Sequence, residues 1–72
     1  MPDKKEVERL KLDYPEGTRI RLIEMDDPYT KLPQGLQGTV RFVDDIGTIH
    51  VGWDNGSSLG LIEGEDRFEK IS

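Results

Sequence analysis

The stretch GTVRFVDDIGTIHVGWDNGS, residues 38–57, constrains the fold more than any other part of the chain. Apolar and polar residues alternate in two of its runs, GTVRFV and TIHVGW, which is the period of a strand with one buried face. The tetrapeptide DDIG between the runs predicts a type I turn with Gly47 in the left-handed region. Asn55-Gly56, after the second run, predicts a tight type I′ turn into another strand. The stretch therefore predicts consecutive antiparallel strands.

Three further segments carry strand signals, GTRIRLIEM, SLGLI and RFEKI. With the first two runs they give the order strand, long loop, strand, short turn, strand, tight turn, strand, short 3₁₀-like turn, strand. That order predicts a mainly β fold, a small five-stranded SH3-like antiparallel barrel. Alternation predicts that ten side chains fill its interior: Ile20, Leu22, Val40, Phe42, Ile49, Val51, Trp53, Leu59, Leu61 and Phe68.

The start of the chain has a helical pattern instead. In PDKKEVERLKLDY, the apolar residues Val7, Leu10 and Tyr14 recur three and four residues apart among charged ones. This spacing predicts a short amphipathic helix. We therefore predict one domain, with residues 1–16 as an N-terminal helix and residues 17–72 as the barrel.

The predicted helix needs a surface to pack on, because a helix this short is marginal alone in water. The first strand breaks its alternation at Ile23 and Met25, and Val43 is predicted to face outward at the end of the second strand. A bulge in the first strand or a cover over its outer face would explain the break. We predict that the helix covers this patch. The rival is that one or both surfaces bind another protein or a second copy of the chain.

Composition removes several classes of site. The chain has 72 residues, no cysteine and one histidine, which excludes disulfides, thiolate metal sites and metal sites built from several histidines. We expect no cofactor and no metal. The formal net charge of −5 disfavours generic binding to nucleic acid and to anionic membranes. No apolar run long enough for a membrane span and no signal-like start are present in the sequence, so we expect a cytoplasmic protein without membrane contact.

Five strings in the chain are EMDDPYTKL, GTV, DDIGTIHV, WDNGS and EGEDRF. Through them the sequence from Tyr14 to Ile71 resembles DUF4314, a bacterial family of unknown function. The resemblance implies an SH3-like fold and an origin in bacteria or in phage-like or conjugative elements. Because the family has no established activity, the resemblance implies no catalytic residues.

The predicted long loop, residues 26–37, is the first candidate binding surface. Loops of this length in compact domains are often functional, and an exposed Tyr29 with Asp26 and Asp27 could hold a proline-rich or basic peptide. The alternative is that Tyr29 and its neighbours fold back and close one end of the barrel. Trp53 is a second candidate, although the alternation of its strand places it in the core.

An outward arginine stripe is the alternative surface. Arg19, Arg21 and Arg41 lie on the polar faces of strands predicted to be neighbours, with His50 beside them, and could contact nucleic acid. Exposed aromatic residues for base stacking are not predicted among them. The competing interpretation is that these arginines pair across strands with acidic residues on a solvated face.

No catalytic set is predicted. The aspartate pairs Asp26-Asp27 and Asp44-Asp45, with Asp54 near them in sequence, fit turns better than a cation site, because short carboxylates accept backbone N–H groups in turns. His50 is predicted to be a surface residue without a nucleophile or an orienting group. We therefore predict a non-enzymatic interaction module that binds a protein or peptide through residues 26–37, and the acidic charge favours a basic partner. We expect a monomer or weak homodimer, with nucleic-acid association as the alternative function.

Overall fold

The computed structural model describes residues 3–24 and 32–71. One helix precedes five strands that form a single antiparallel sheet in the order β4-β3-β2-β1-β5. The elements are α1 Lys4–Asp13, β1 Arg19–Glu24, β2 Gln37–Val43, β3 Thr48–Trp53, β4 Leu61–Ile62 and β5 Arg67–Lys70. The mainly β prediction is confirmed, but the sheet is not closed, so a barrel is not confirmed.

The two edge strands are consecutive in the chain. Strand β4 ends at Ile62 and β5 begins at Arg67, so residues 63–66 must link opposite edges of the sheet. The five Cα–Cα steps from Ile62 to Arg67 reach at most about 18 Å when fully extended, and hydrogen bonds from Glu65 and Asp66 to the Ile62 carbonyl shorten this link. Four strand spacings of about 4.8 Å would separate the edges of a flat five-stranded sheet by about 19 Å. A flat five-stranded sheet would hold its edges farther apart than that link can span. The sheet is therefore strongly curled.

Helix α1 forms where the sequence predicts it. The Asp3 carboxylate accepts a hydrogen bond from the backbone N–H of Glu6 (2.9 Å), which caps the first turn. The helix packs against β2, and it buries Val7 and Leu10. Its end is fixed by Tyr14, whose ring meets the ring of Phe68 edge-to-face at 5.6 Å. The helix therefore packs on its own sheet.

The covered patch differs in detail from the prediction. Val43 is buried with Leu10 in one core cluster, which confirms that the helix covers this end of β2. Ile23 is 38% exposed and Met25 lies outside the described residues. The pairing of β1 with β5 shifts register between Leu22 and Glu24, which confirms the predicted irregularity in the first strand.

A second bulge, in β2, overturns part of the predicted interior. Val40 pairs with Val51, but Phe42 pairs with His50, so Arg41 is an extra residue in the ladder. The extra residue reverses the faces of the residues after it. Phe42 is therefore exposed (53%) and Val43 buried, so their predicted orientations, inward for Phe42 and outward for Val43, are wrong.

The predicted turn and strand after β3 also need correction. Every described residue at positive φ is a glycine, so Asn55 cannot take the type I′ conformation, which needs positive φ at both central residues. Of the two central residues of this turn, only Gly56 lies at positive φ. The Asn55 side chain accepts the N–H of Ser57. Strand β4 starts only at Leu61, so Leu59, predicted to face inward, is 43% exposed. Phe68 packs against the core but is only half-buried.

Candidate functional site

The predicted binding loop is only partly described. Asp26, Asp27 and Tyr29 lie outside the described residues, so their predicted role stays a prediction. The last part of the loop, residues 32–36, lies against β1, where the Leu22 carbonyl accepts the N–H of Gly35 (2.7 Å). Leu32 packs against the core. For the part of the loop that the structure describes, this contact agrees with the alternative that the loop folds back on the sheet.

Trp53 is a core residue. It is 3% exposed, and its indole Nε1–H donates to the carbonyl of Leu59 at 2.9 Å. The hydrogen bond satisfies the one polar atom of a buried ring. The ring of Trp53 therefore presents no open surface to a ligand.

Two of the three predicted stripe arginines are paired with acids. The Arg19 guanidinium donates to both carboxylate oxygens of Asp54, at 2.9 and 2.7 Å. Arg21 donates to Glu69 across the β1–β5 pair, with Nε at 2.7 Å from Oε1. Arg41 forms no ion pair with any described residue, and its side chain lies over Gly52. Cross-strand pairing is thus confirmed for two positions, and Arg41 is left as an unpaired cation within the described residues.

An open concavity lies between helix α1, the β2–β3 turn and β4, in a place that no sequence pattern predicted. We call it the acidic groove, and its volume is about 460 Å³. That volume lies within the range of ligand-binding clefts. Its walls are Glu6, Arg9, Leu10, Ile46, Gly47, Thr48, Ile62, Glu63 and Glu65. Ile46 and Ile62 are 56% and 43% exposed, so part of the lining is apolar and open to a partner.

The charge of the acidic groove is negative. Three glutamates and one arginine line it. Arg9 donates hydrogen bonds to Glu63 at 2.5 Å and to Asp13 at 2.9 Å. Both raise the pKa of Arg9, and the bond to Glu63 has the larger effect. The one cation among the described lining residues is therefore already neutralised. Glu6 and Glu65 form no ion pair within the described part of the chain. The groove suits a ligand that combines apolar and cationic groups.

The backbone of β4 is not free to pair with a partner strand at the groove. The N–H of Ile62 donates to the Asp66 carboxylate at 2.9 Å. The Ile62 carbonyl accepts the N–H groups of Glu65 (3.1 Å) and Asp66 (2.9 Å). A partner in the acidic groove must therefore bind through side chains rather than by adding a strand to this edge.

A second surface feature arises from the β2 bulge. The rings of Phe42 and His50 are stacked, with centroids 4.3 Å apart and planes within 13°. His50 Nε2 lies 2.8 Å from the Asp44 carboxylate, which also accepts the N–H groups of Ile46 and Thr48. The predicted turn role of Asp44 is confirmed. Sequence reasoning missed an exposed aromatic residue on this face, because simple alternation places Phe42 in the core.

Acidification is expected to weaken the fold through Asp44 and Asp54. The hydrogen bond with His50 lowers the pKa of Asp44 below its ordinary 3.8, and the hydrogen bonds with Arg19 lower the pKa of Asp54 in the same direction. A carboxyl whose folded pKa is depressed stabilises the folded state above its ordinary pKa. That contribution is lost as the pH falls from 3.8 through the folded-state pKa. Urea unfolding over a pH series should show it.

The pair of Arg19 and Asp54 provides an internal control. The variants D54N and R19Q each remove the same ion pair, so both should flatten the acid limb of the stability curve by the same amount. The change is small, because solvent screens an exposed pair. An acid limb that is unchanged in both variants would contradict the assignment.

Two kinds of feature are absent from the described residues. Residues 3–24 and 32–71 contain no cluster of three or more histidine, aspartate or glutamate side chains arranged to hold a metal ion. Within the same residues, no helix has the length and apolar character needed to cross a membrane.

Comparison with known proteins supports the resemblance found in the sequence. The family model described as "Domain of unknown function (DUF4314)" matches residues 3–71, nearly the whole chain. No curated protein and no solved structure matches the chain. The geometry of the two surfaces is therefore the basis for a functional argument.

Proposed function

The chain belongs to the DUF4314 family, whose description assigns no activity, and we propose that it is a non-enzymatic protein-interaction module. Its partner is a protein segment that carries apolar side chains flanked by lysine or arginine. The segment binds in the acidic groove. The observation that supports this function is the exposed pair Ile46 and Ile62 beside carboxylates that have no cation of their own among the described residues.

The chemistry of the acidic groove favours this partner over others. Burying exposed isoleucine side chains releases about 25 cal/mol per Å² of apolar area. The carboxylates of Glu6 and Glu65, which form no ion pair within residues 3–24 and 32–71, attract a cationic segment and repel an acidic one. Leu10 belongs both to the wall of the acidic groove and to the core cluster, so the shape of the groove depends on how α1 packs on the sheet. Apolar contact supplies affinity, and charge selects the partner.

We also propose the finer features of the fold and setting. The strand order and the short link between β4 and β5 support an SH3-like barrel that is partly open. A bacterial cytoplasm is the proposed setting. The loop of residues 26–37, with Asp26, Asp27 and Tyr29, remains a second proposed contact surface for the same partner.

The surroundings of the histidine support a non-enzymatic role. The His50 ring contacts the Phe42 ring and the Asp44 carboxylate. Neither group is a nucleophile that a histidine base would activate in acyl transfer.

Peptide titration followed by amide NMR tests the groove. One peptide carries leucines flanked by lysine and arginine, and its counterpart has glutamate at every basic position. We expect the basic peptide to shift the amides of Leu10, Ile46 and Ile62, and the acidic one to leave them in place. The E65K variant should bind the basic peptide about three- to tenfold more weakly, because reversal removes one attraction and adds a repulsion.

The matched control is E16K, which makes the same charge change at an exposed glutamate outside the groove. It should weaken binding less than twofold. Equal losses in E65K and E16K would show that only the overall charge matters. Equal binding of the two peptides would contradict the proposed partner.

A further inference from the structure

The outer face of the sheet presents the exposed ring of Phe42 and, from the preceding residue, the Arg41 guanidinium, which lies over Gly52 and has no ion pair among the described residues. Because Arg41 and Phe42 together oppose His50 across the bulge, both side chains lie on the solvent side of β2. We call Arg41, Phe42 and His50 the outer-face platform. It lies apart from the acidic groove, with no residue in common.

The aromatic part of the platform is ordered before any ligand arrives. One face of the Phe42 ring stacks on His50, and His50 is held by the Asp44 carboxylate, itself fixed by two backbone N–H groups of its turn. Phe42 nevertheless remains 53% exposed. A ring that is fixed and exposed loses little entropy when a second planar group stacks on it.

The charge around the platform differs from that of the whole chain. The carboxylate of Asp54 is paired with Arg19, that of Glu69 with Arg21, and that of Asp44 accepts hydrogen bonds from His50 and its own turn. The Arg41 guanidinium has no such partner among the described residues. Among the described residues, an anion at the platform therefore meets the unpaired Arg41 and carboxylates that are already engaged, although the net charge of the chain is −5.

We propose that the outer-face platform binds a short single-stranded nucleic-acid segment. A base stacks on the Phe42 ring and an adjacent phosphate pairs with Arg41. Exposed rings beside cations are the general means of holding single strands, because every base has a flat face. The positive charge of Arg41 disfavours a basic peptide at the platform. A duplex is disfavoured because its bases are already stacked on one another. The platform binds independently of the partner in the acidic groove.

The test is an amide NMR titration with six-nucleotide DNA and RNA single strands at about 50 mM salt, where phosphate contacts are still strong. We expect shifts centred on Arg41, Phe42 and His50, and weaker shifts with a duplex of the same sequence. The F42A variant should bind at least about fivefold more weakly, the effect of losing one stacked base. F42Y keeps a ring and should bind within twofold of the original chain.

Two arginine variants with the same change in charge distinguish binding at the platform from attraction by the overall electrostatic field of the protein. R41Q and R67Q each remove one exposed arginine, but Arg67 lies on β5, away from the platform, and has only a 4.0 Å contact with Glu24. R41Q should weaken binding and reduce the salt dependence by about one phosphate contact, while R67Q should do neither. Equal losses in the two variants, silent platform amides, or platform shifts caused only by the basic peptide would overturn the proposal.

Discussion

Replacing Leu10 with alanine is expected to lower the free energy of unfolding by about 2–5 kcal/mol, the usual range for a buried leucine. Leu10 is 3% exposed and joins the core cluster beneath α1. Its loss would leave a cavity in the cluster between the helix and the sheet. A domain of 72 residues has only about 4–11 kcal/mol of stability in total, so the variant should lose a large fraction of it. Urea unfolding followed by circular dichroism measures the difference.

The same helix supplies the control. Leu12 is 81% exposed, and the variant L12A makes the same chemical change without removing a core contact. Alanine is also the best helix former, so L12A should change stability by no more than about 0.5 kcal/mol. A similar loss in both variants would contradict the selective burial of Leu10 against the sheet, because neither substitution lowers helix propensity. A negligible loss in L10A would contradict the packing of α1.

Alanine at Gly38 is expected to destabilise the fold by about 1–3 kcal/mol through overpacking. An added Cβ would lie 2.6 Å from Cγ1 of Val51 and 2.8 Å from Cε3 of Trp53. Both neighbours are buried core side chains on β3, so neither has free space to move into. The loss of freedom in the unfolded chain favours alanine by about 0.4–1 kcal/mol, which is smaller than the expected clash. Thermal unfolding of the G38A variant checks the sign.

Gly52 on the neighbouring strand is the matched position. Its added Cβ would meet Nε of Arg41 at 3.0 Å, the middle of a flexible and exposed side chain that can turn away. We expect G52A to change stability by less than about 0.5 kcal/mol, because the clash is relieved at little cost. If G38A were as mild as G52A, the close contact of β2 with β3 at Trp53 would be wrong.

The elements with strong local signals were predictable from the sequence. Strand β3 has the predicted bounds, and α1 lies within the range predicted for the helix, because alternation and helical spacing are local properties. The bulge at Arg41 was not, since VRFV alternates whether or not an extra residue interrupts the ladder. A hint was present in the adjacent apolar residues Phe42 and Val43, which cannot both face one side of a regular strand.

The two proposed surfaces differ in how far the sequence could reveal them. The acidic groove joins Glu6 from the helix, Ile46 from a turn and Ile62 from β4, residues that only the curled sheet brings together. No spacing in the chain reports such a meeting. The outer-face platform could be predicted only in part. Arg41 was predicted to face outward, but Phe42 was assigned to the core. The two misassigned residues of β2 thus concealed the aromatic half of the surface.

The hydrogen bonds between Ile62 and its own turn limit how copies of this chain can assemble. Continuous strand pairing between copies needs two sheet edges with free backbone groups on every copy. Here the Asp66 carboxylate and two turn N–H groups occupy the β4 edge at Ile62. Among the described residues, strand β4 pairs only with Thr48 and Ile49 of β3, so this block acts at one end of that edge. Strand pairing at Ile62 is therefore blocked, which hinders one of the two edge contacts that continuous stacking of copies requires.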